Sequence, residues 1–145
     1  MTTYRVEIYR DDRWWMIRVP ELDGVDGLAE CIGQSRRLED VTTDAQDIIG
    51  LVADVAPSEI ALDLRIHVDG IAGDLAEISA HIADDRAAAH AAEERAITRS
   101  RQLAHALHEV GVPVRDIASV TGVSFQRAQQ LVKESAADSE RKMSA

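Results

Sequence analysis

The chain has 145 residues, with 16 Lys and Arg against 26 Asp and Glu for a formal charge of -10, a single Cys and 3% aromatic residues. That length holds one ordinary domain or two very small ones, and the lone Cys31 excludes an intrachain disulfide framework and a CxxC metal knuckle. MTTYRVEIYRDD has no apolar leader and no run of 18 apolar residues follows, so the expectation is a cytoplasmic protein with no membrane partner.

The acidic total also argues against nucleic acid, whose phosphates are bound by Lys and Arg. Divided along the chain, the charge says something different. Residues 1–64 carry 6 basic and 14 acidic side chains (net -8), residues 65–98 carry 3 and 7 (net -4), residues 99–134 carry 5 and 3 (net +2), and residues 135–145 carry 2 of each. An acidic front joins a mildly basic back, and segments of opposite electrostatics suit different partners. The bland alternative is an ordinary solvated acidic surface.

In chain order, residues 4–9 (YRVEIY) alternate Tyr4, Val6 and Ile8 against Arg5, Glu7 and Tyr9, the period of a half-buried strand. Asp11 and Asp12 form a polar turn, and residues 14–19 (WWMIRV) pair back as a hairpin until Pro20, which has no N–H for a ladder. After the turn-rich stretch 21–27, residues 28–32 (LAECI) read as a short third strand. Residues 38–55 place Val41, Ala45, Ile48, Ile49 and Val52 at helical spacing, with Pro57 and Ser58 as the breaker. Residues 59–68 alternate Ile60, Leu62, Leu64 and Ile66 against Ala61, Asp63, Arg65 and His67, a fourth strand. The order β-β-β-α-β predicts an α+β module over residues 1–68, one helix covering one face of a small sheet.

From Gly73 the composition turns to Ala, Glu and Asp, and Leu75, Ile78 and Ile82 form a stripe leading into RAAAHAA at 86–92. One helix, or two nearly continuous ones, of about 35 residues would be about 50 Å long. It either folds back as a second cover for the sheet or, as a connecting helix over residues 69–98, serves spacing and self-association.

Residues 114–132 (VRDIASVTGVSFQRAQQLV) carry the most specific pattern. Ile117 and Ala118 are an apolar pair on a short helix, Gly122 suits a left-handed turn, Ser124 suits a cap, and the next helix buries Ala128, Leu131 and Val132 with Gln126, Arg127, Gln129 and Gln130 outward. This resembles the helix-turn-helix of bacterial and phage repressors, placed here at residues 99–134. The resemblance implies that the second helix enters the major groove. Phe125, Gln126 and Gln130 would then face the bases, Gln pairing with adenine and Phe packing on a thymine methyl. Ser124 and Arg127 would face phosphate, with Arg99, Arg101, Arg115 and Lys133 around the rim. The modest charge of this segment calls for a dimer on two half-sites, or a higher oligomer. A structural hairpin with a solvated Gln-rich face is the alternative, which a buried Phe125 would favour. Residues 135–145 read as a flexible tail.

In the front module, Tyr4-Arg5-Val6, the strand 14–19, Pro20-Glu21-Leu22-Asp23-Gly24 and the helix start Leu38-Glu39-Asp40 resemble the HicB antitoxin family. The chain departs from that pattern in Glu21 for Asp, Asp23 for the second Pro, and Val25 where a Cys often follows the Gly. The resemblance implies a truncated ribonuclease-H-like sheet without nuclease activity. Such an antitoxin masks a small basic toxin ribonuclease, HicA, and represses its own operon by binding double-stranded DNA. The acidic front suits a cover for a basic surface.

Three alternatives compete for the function. The first is this antitoxin and autorepressor. The second is a stand-alone regulator whose front module dimerises or senses a ligand. The third is a ribonuclease-H-like nuclease, which needs several carboxylates converging on Mg²⁺. Glu7, Glu30 and Asp63 lie on expected strands, but Glu7 and Asp63 read as solvent-facing alternates, so no catalytic residue is assigned. The five His form no metal box, Cys31 reads as a core thiol, and no Gly-rich phosphate loop exists, so no metal or cofactor is expected. Trp14 and Trp15 point to opposite faces of one strand, one toward the core and one a candidate interface anchor.

Overall fold

A computed structural model describes residues 1–144 and divides into two compact units, Met1–Ala83 and a second beginning at Asp84. The chain is α+β. Its elements are β1 (Thr2–Asp11), β2 (Trp14–Arg18), β3 (Ile32–Ser35), α1 (Val41–Ala53), β4 (Ile60–His67), α2 (Leu75–Glu109), α3 (Val114–Thr121) and α4 (Phe125–Met143). None of these helices is long and apolar enough to cross a membrane, among the described residues.

The first unit is a four-stranded sheet in the order β3-β2-β1-β4. A tight turn at Asp12 and Arg13 joins β1 to β2, Asp11 opposing Trp14, with Asp12 at φ 53. Asp tolerates that left-handed backbone because its short side chain bonds locally. β1 and β4 run parallel, from Thr2 opposite Ile60 to Tyr9 opposite His67. A parallel pair needs a crossover, and α1 supplies it. Alternation then puts Tyr4, Val6, Ile8, Ile17, Val19, Ile60 and Ile66 on the face that α1 covers with Val41, Ala45 and Ile49. Trp15 packs on this core. Trp14 falls on the opposite face, beneath the Arg36 guanidinium at 5.3 Å from its ring centre. Cys31 is 2% exposed, and burial, helped by the Asp23 carboxylate, pushes its thiol up, as befits an inert core thiol.

Four expectations need correction. The third strand was expected over residues 28–32 and lies at Ile32–Ser35. The preceding stretch is held by turns: Gly24 at φ 81 donates its N–H to the Leu28 carbonyl (2.8 Å), and the Cys31 N–H goes to Asp23 Oδ1 (2.9 Å). Leu28 is left 40% exposed, and the ladder with β2 starts only where Ile32 meets Arg18.

The helix expected over residues 38–55 begins with a single tight turn and ends before its proline. Asp54 takes a left-handed conformation (φ 52), and the N–H of Val55 reaches the Gly50 carbonyl.

The connecting helix expected over residues 69–98 is not confined there. α2 runs unbroken to Glu109; Leu75 and Ala76 join the head core, while Ile78 and Ile82 stay 41% and 46% exposed. Its start is fastened by Asp74, whose Oδ1 accepts the N–H groups of Ile66 (2.8 Å) on β4 and Ala76 (3.0 Å) in the first turn.

Finally, the tail at 135–145 is not a loose end throughout, since α4 continues to Met143. No Pro or Gly stands between Ser124 and Met143, and Arg141 and Lys142 lie in the last turn, where the helix dipole favours cations.

Candidate nucleic-acid interface

The second unit has a core of its own: Ala104, Ile117, Ala118, Ala128 and Leu131 are buried, with Leu107, Val112, Val114, Val123 and Val132 packed around them. Three short-range devices fold the chain about it. α2 stops at Gly111 (φ 84), where the Val112 N–H reaches the Leu107 carbonyl and the Gly111 N–H reaches that of His108, both 3.0 Å. This paired closure leaves Val112 beside Leu107 in the core. α3 follows Pro113, and its small Ala118 lets the next helix cross closely. Gly122 then takes φ 72 with its N–H on the Ala118 carbonyl (3.0 Å), and Ser124 Oγ accepts the Arg127 N–H (3.1 Å), capping α4. The glycine and serine named from sequence thus act as the turn and the cap.

Successive residues of a helix turn by about 100°, so Phe125, Gln126, Gln129, Gln130 and Lys133 share one side of α4, opposite Ala128 and Leu131. All five are exposed, Phe125 by 52%. Ser124 is exposed at the head of this helix and Arg115 on α3. No acidic residue occupies the first turn of α4. In a chain with ten excess carboxylates, an exposed helical surface of amides, one aromatic ring and one ammonium is a local exception.

Arg127 stands apart from that side. It flanks the helix, where its Nη1 lies 3.3 Å from Glu134 Oε1 and donates to Gln130 Oε1 at 3.3 Å. It also lines an apolar cleft of about 330 Å³ with Ile97, Ser100, Thr121, Val123 and Leu131. Arg101 is likewise engaged: its Nε lies 3.4 Å from Glu134 Oε2. In the free chain one carboxylate therefore holds both Arg127, expected at phosphate, and Arg101, expected at its rim. Sequence reading missed Glu134. The seven-residue spacing from Arg127 was its one visible signal, since Arg101 reaches it only by tertiary packing.

On the head, Glu7 and Asp63 share the sheet face opposite α1 and each is paired with an arginine, Arg5 at 3.4 Å and Arg65 at 3.2 Å. Glu30 lies 3.8 Å from Arg18. Among the described residues no group of three or more His, Cys, Asp or Glu is placed to hold a metal ion. No protein-family model, curated protein or solved structure matches the chain.

Proposed function

We propose that the chain is a sequence-specific DNA-binding repressor that reads its own upstream duplex through α4 and whose acidic head masks a small basic toxin, as a HicB-like antitoxin. One observation carries the DNA reading. A capped helix, set at a glycine turn on a packed core, exposes Phe125, Gln126, Gln129, Gln130 and Lys133 with no carboxylate among them. Gln amides match the donor and acceptor pattern of adenine in the major groove, and Phe125 suits a thymine methyl. The small positive charge of this segment favours binding as a dimer over two half-sites.

The assigned readers are tested by binding of the full chain to the duplex upstream of its own gene. Gln126→Ala and Gln130→Ala are each expected to cost about 1–3 kcal/mol against that duplex and little against a scrambled one. Equal losses on both duplexes would reject them as base readers.

The toxin-masking half is supported by the net charge of -8 over residues 1–64 and by the β-β-β-α-β order of the head. A basic surface would associate with such a head faster at low salt than at high. If the adjacent reading frame encodes a short basic protein, the two are expected to copurify and to separate as salt rises. Failure to copurify with DNA binding intact would favour a stand-alone regulator.

A further inference from the structure

Glu134 sits where two parts of the proposed DNA surface meet. Its Oε2 faces Arg101 Nε of α2 at 3.4 Å and its Oε1 faces Arg127 Nη1 of α4 at 3.3 Å, and the same Nη1 donates to the carbonyl oxygen of Gln130 at 3.3 Å. Residues 99–134 hold five cationic side chains, and this one carboxylate occupies two of them. The three charged side chains are 37–43% exposed, so the ion pairs are screened and individually weak. Such pairs contribute little to folding. They are also easily exchanged for another anion.

We infer that Glu134 is an intramolecular stand-in for DNA phosphate that sets how many cations the surface presents and couples phosphate binding to base reading. The inference rests on the DNA-binding proposal above. In the free chain Glu134 keeps Arg127 lying along α4, and Arg127 in turn occupies Gln130 Oε1, the oxygen that accepts from the N6 amino group of adenine. A phosphate oxygen that takes Arg127 from Glu134 gains a charge-assisted bond and frees that acceptor at the same moment. Nonspecific DNA, which meets the arginines without a base for Gln130, gains only the first of these. The carboxylate thus weakens all DNA binding but weakens nonspecific binding more, a discrimination achieved by repulsion as well as attraction.

The test compares the full-length wild type with Glu134→Gln on the upstream duplex and on a scrambled duplex of equal length and composition, across a salt series. Each phosphate contact adds about 0.9 to the slope of log K against log salt. Glu134→Gln is expected to steepen that slope by roughly 0.9 to 1.8 and to raise affinity for the scrambled duplex about ten-fold near 0.1 M salt. The ratio of affinities between the two duplexes is expected to fall. Glu134→Asp, which keeps the charge, and the double variant Glu134→Gln/Arg127→Gln are expected to return toward the wild-type slope. A purely structural role would lower the helical melting temperature and leave the slope unchanged, and that result overturns the inference while leaving the DNA reading intact. A wild type that binds both duplexes equally would overturn the DNA reading, and this inference with it.

Discussion

Leu131→Ala is expected to abolish the α3–α4 fold and with it DNA binding, while the head stays folded. Leu131 is 1% exposed and, with Ile117, is one of the two large side chains among the five described residues that are buried in this core. Truncating a buried Leu costs about 2–5 kcal/mol through lost transfer energy and the cavity left behind. For a unit of this size that is comparable to the whole stability. The head has separate buried residues, Val6, Ile8, Ile17 and Ile49 among them, and none belongs to the second cluster. Both tryptophans lie in the head, so their fluorescence reports that unit, whereas far-UV circular dichroism is dominated by α2, α3 and α4. In the variant the dichroism transition should move to much lower denaturant and the fluorescence transition should hold its midpoint. Coincident shifts in both would show that the two cores unfold as one.

Asp74→Ala is expected to lower the stability of the head by about 2 kcal/mol, since a helix cap and a charge-assisted bond to backbone are lost together. The side chain is 12% exposed and bridges β4 to the first turn of α2 through Ile66 and Ala76, with Arg65 Nη1 at 3.8 Å from its other oxygen. The Ile66 N–H above all, then the Ala76 N–H and the nearby Arg65 guanidinium, hold the Asp74 carboxyl below its ordinary value against the opposing effect of burial. A depressed folded value means that the charged form contributes stability above the unfolded value, near pH 4, and that this contribution fades as pH falls through the lower folded value. Asp74→Asn keeps an acceptor and removes the charge, so the difference between wild type and Asn isolates that contribution. It should be constant at neutral pH and shrink toward zero on acidification below about pH 4. A difference that grows on acidification would show that the charge is not what holds this junction.

Much of the framework was legible because it rests on short-range rules. The alternation of Tyr4, Val6 and Ile8 places β1, and the spacing of Val41, Ala45 and Ile49 places α1. In the second unit Gly122 and Ser124 mark a turn and a cap whose chemistry few other residues supply. Phe125, Gln126 and Gln130 follow from that cap by helical geometry alone. The errors fell where one side-chain bond or an uncommon backbone conformation overrides what composition favours. Residues 28–31 are β-like in composition, yet the Asp23 side chain takes the Cys31 N–H and moves the strand on to Ile32. α1 ends at Ala53 rather than at the expected residue 55 because Asp54 adopts the left-handed cap usually supplied by Gly or Asn.

Amino-acid order alone determined the α+β class, the segmental split of charge, the repeating apolar faces and the glycine-serine turn. Each depends on residues within a turn or two of one another. Tertiary structure decided which charges are available. Arg127 reaches Glu134 along α4 itself, but Arg101 lies on another helix, 26 positions from Arg127, and only the packing of α2 against α4 around Leu131 and Ala104 brings it to the same carboxylate. Asp74 likewise looks like one more acidic residue until the end of β4 presents the Ile66 N–H to it. Periodicity reports which side of an element is buried; it carries no information on which distant side chain lies within 4 Å, and that distance sets whether an arginine meets a carboxylate or a phosphate.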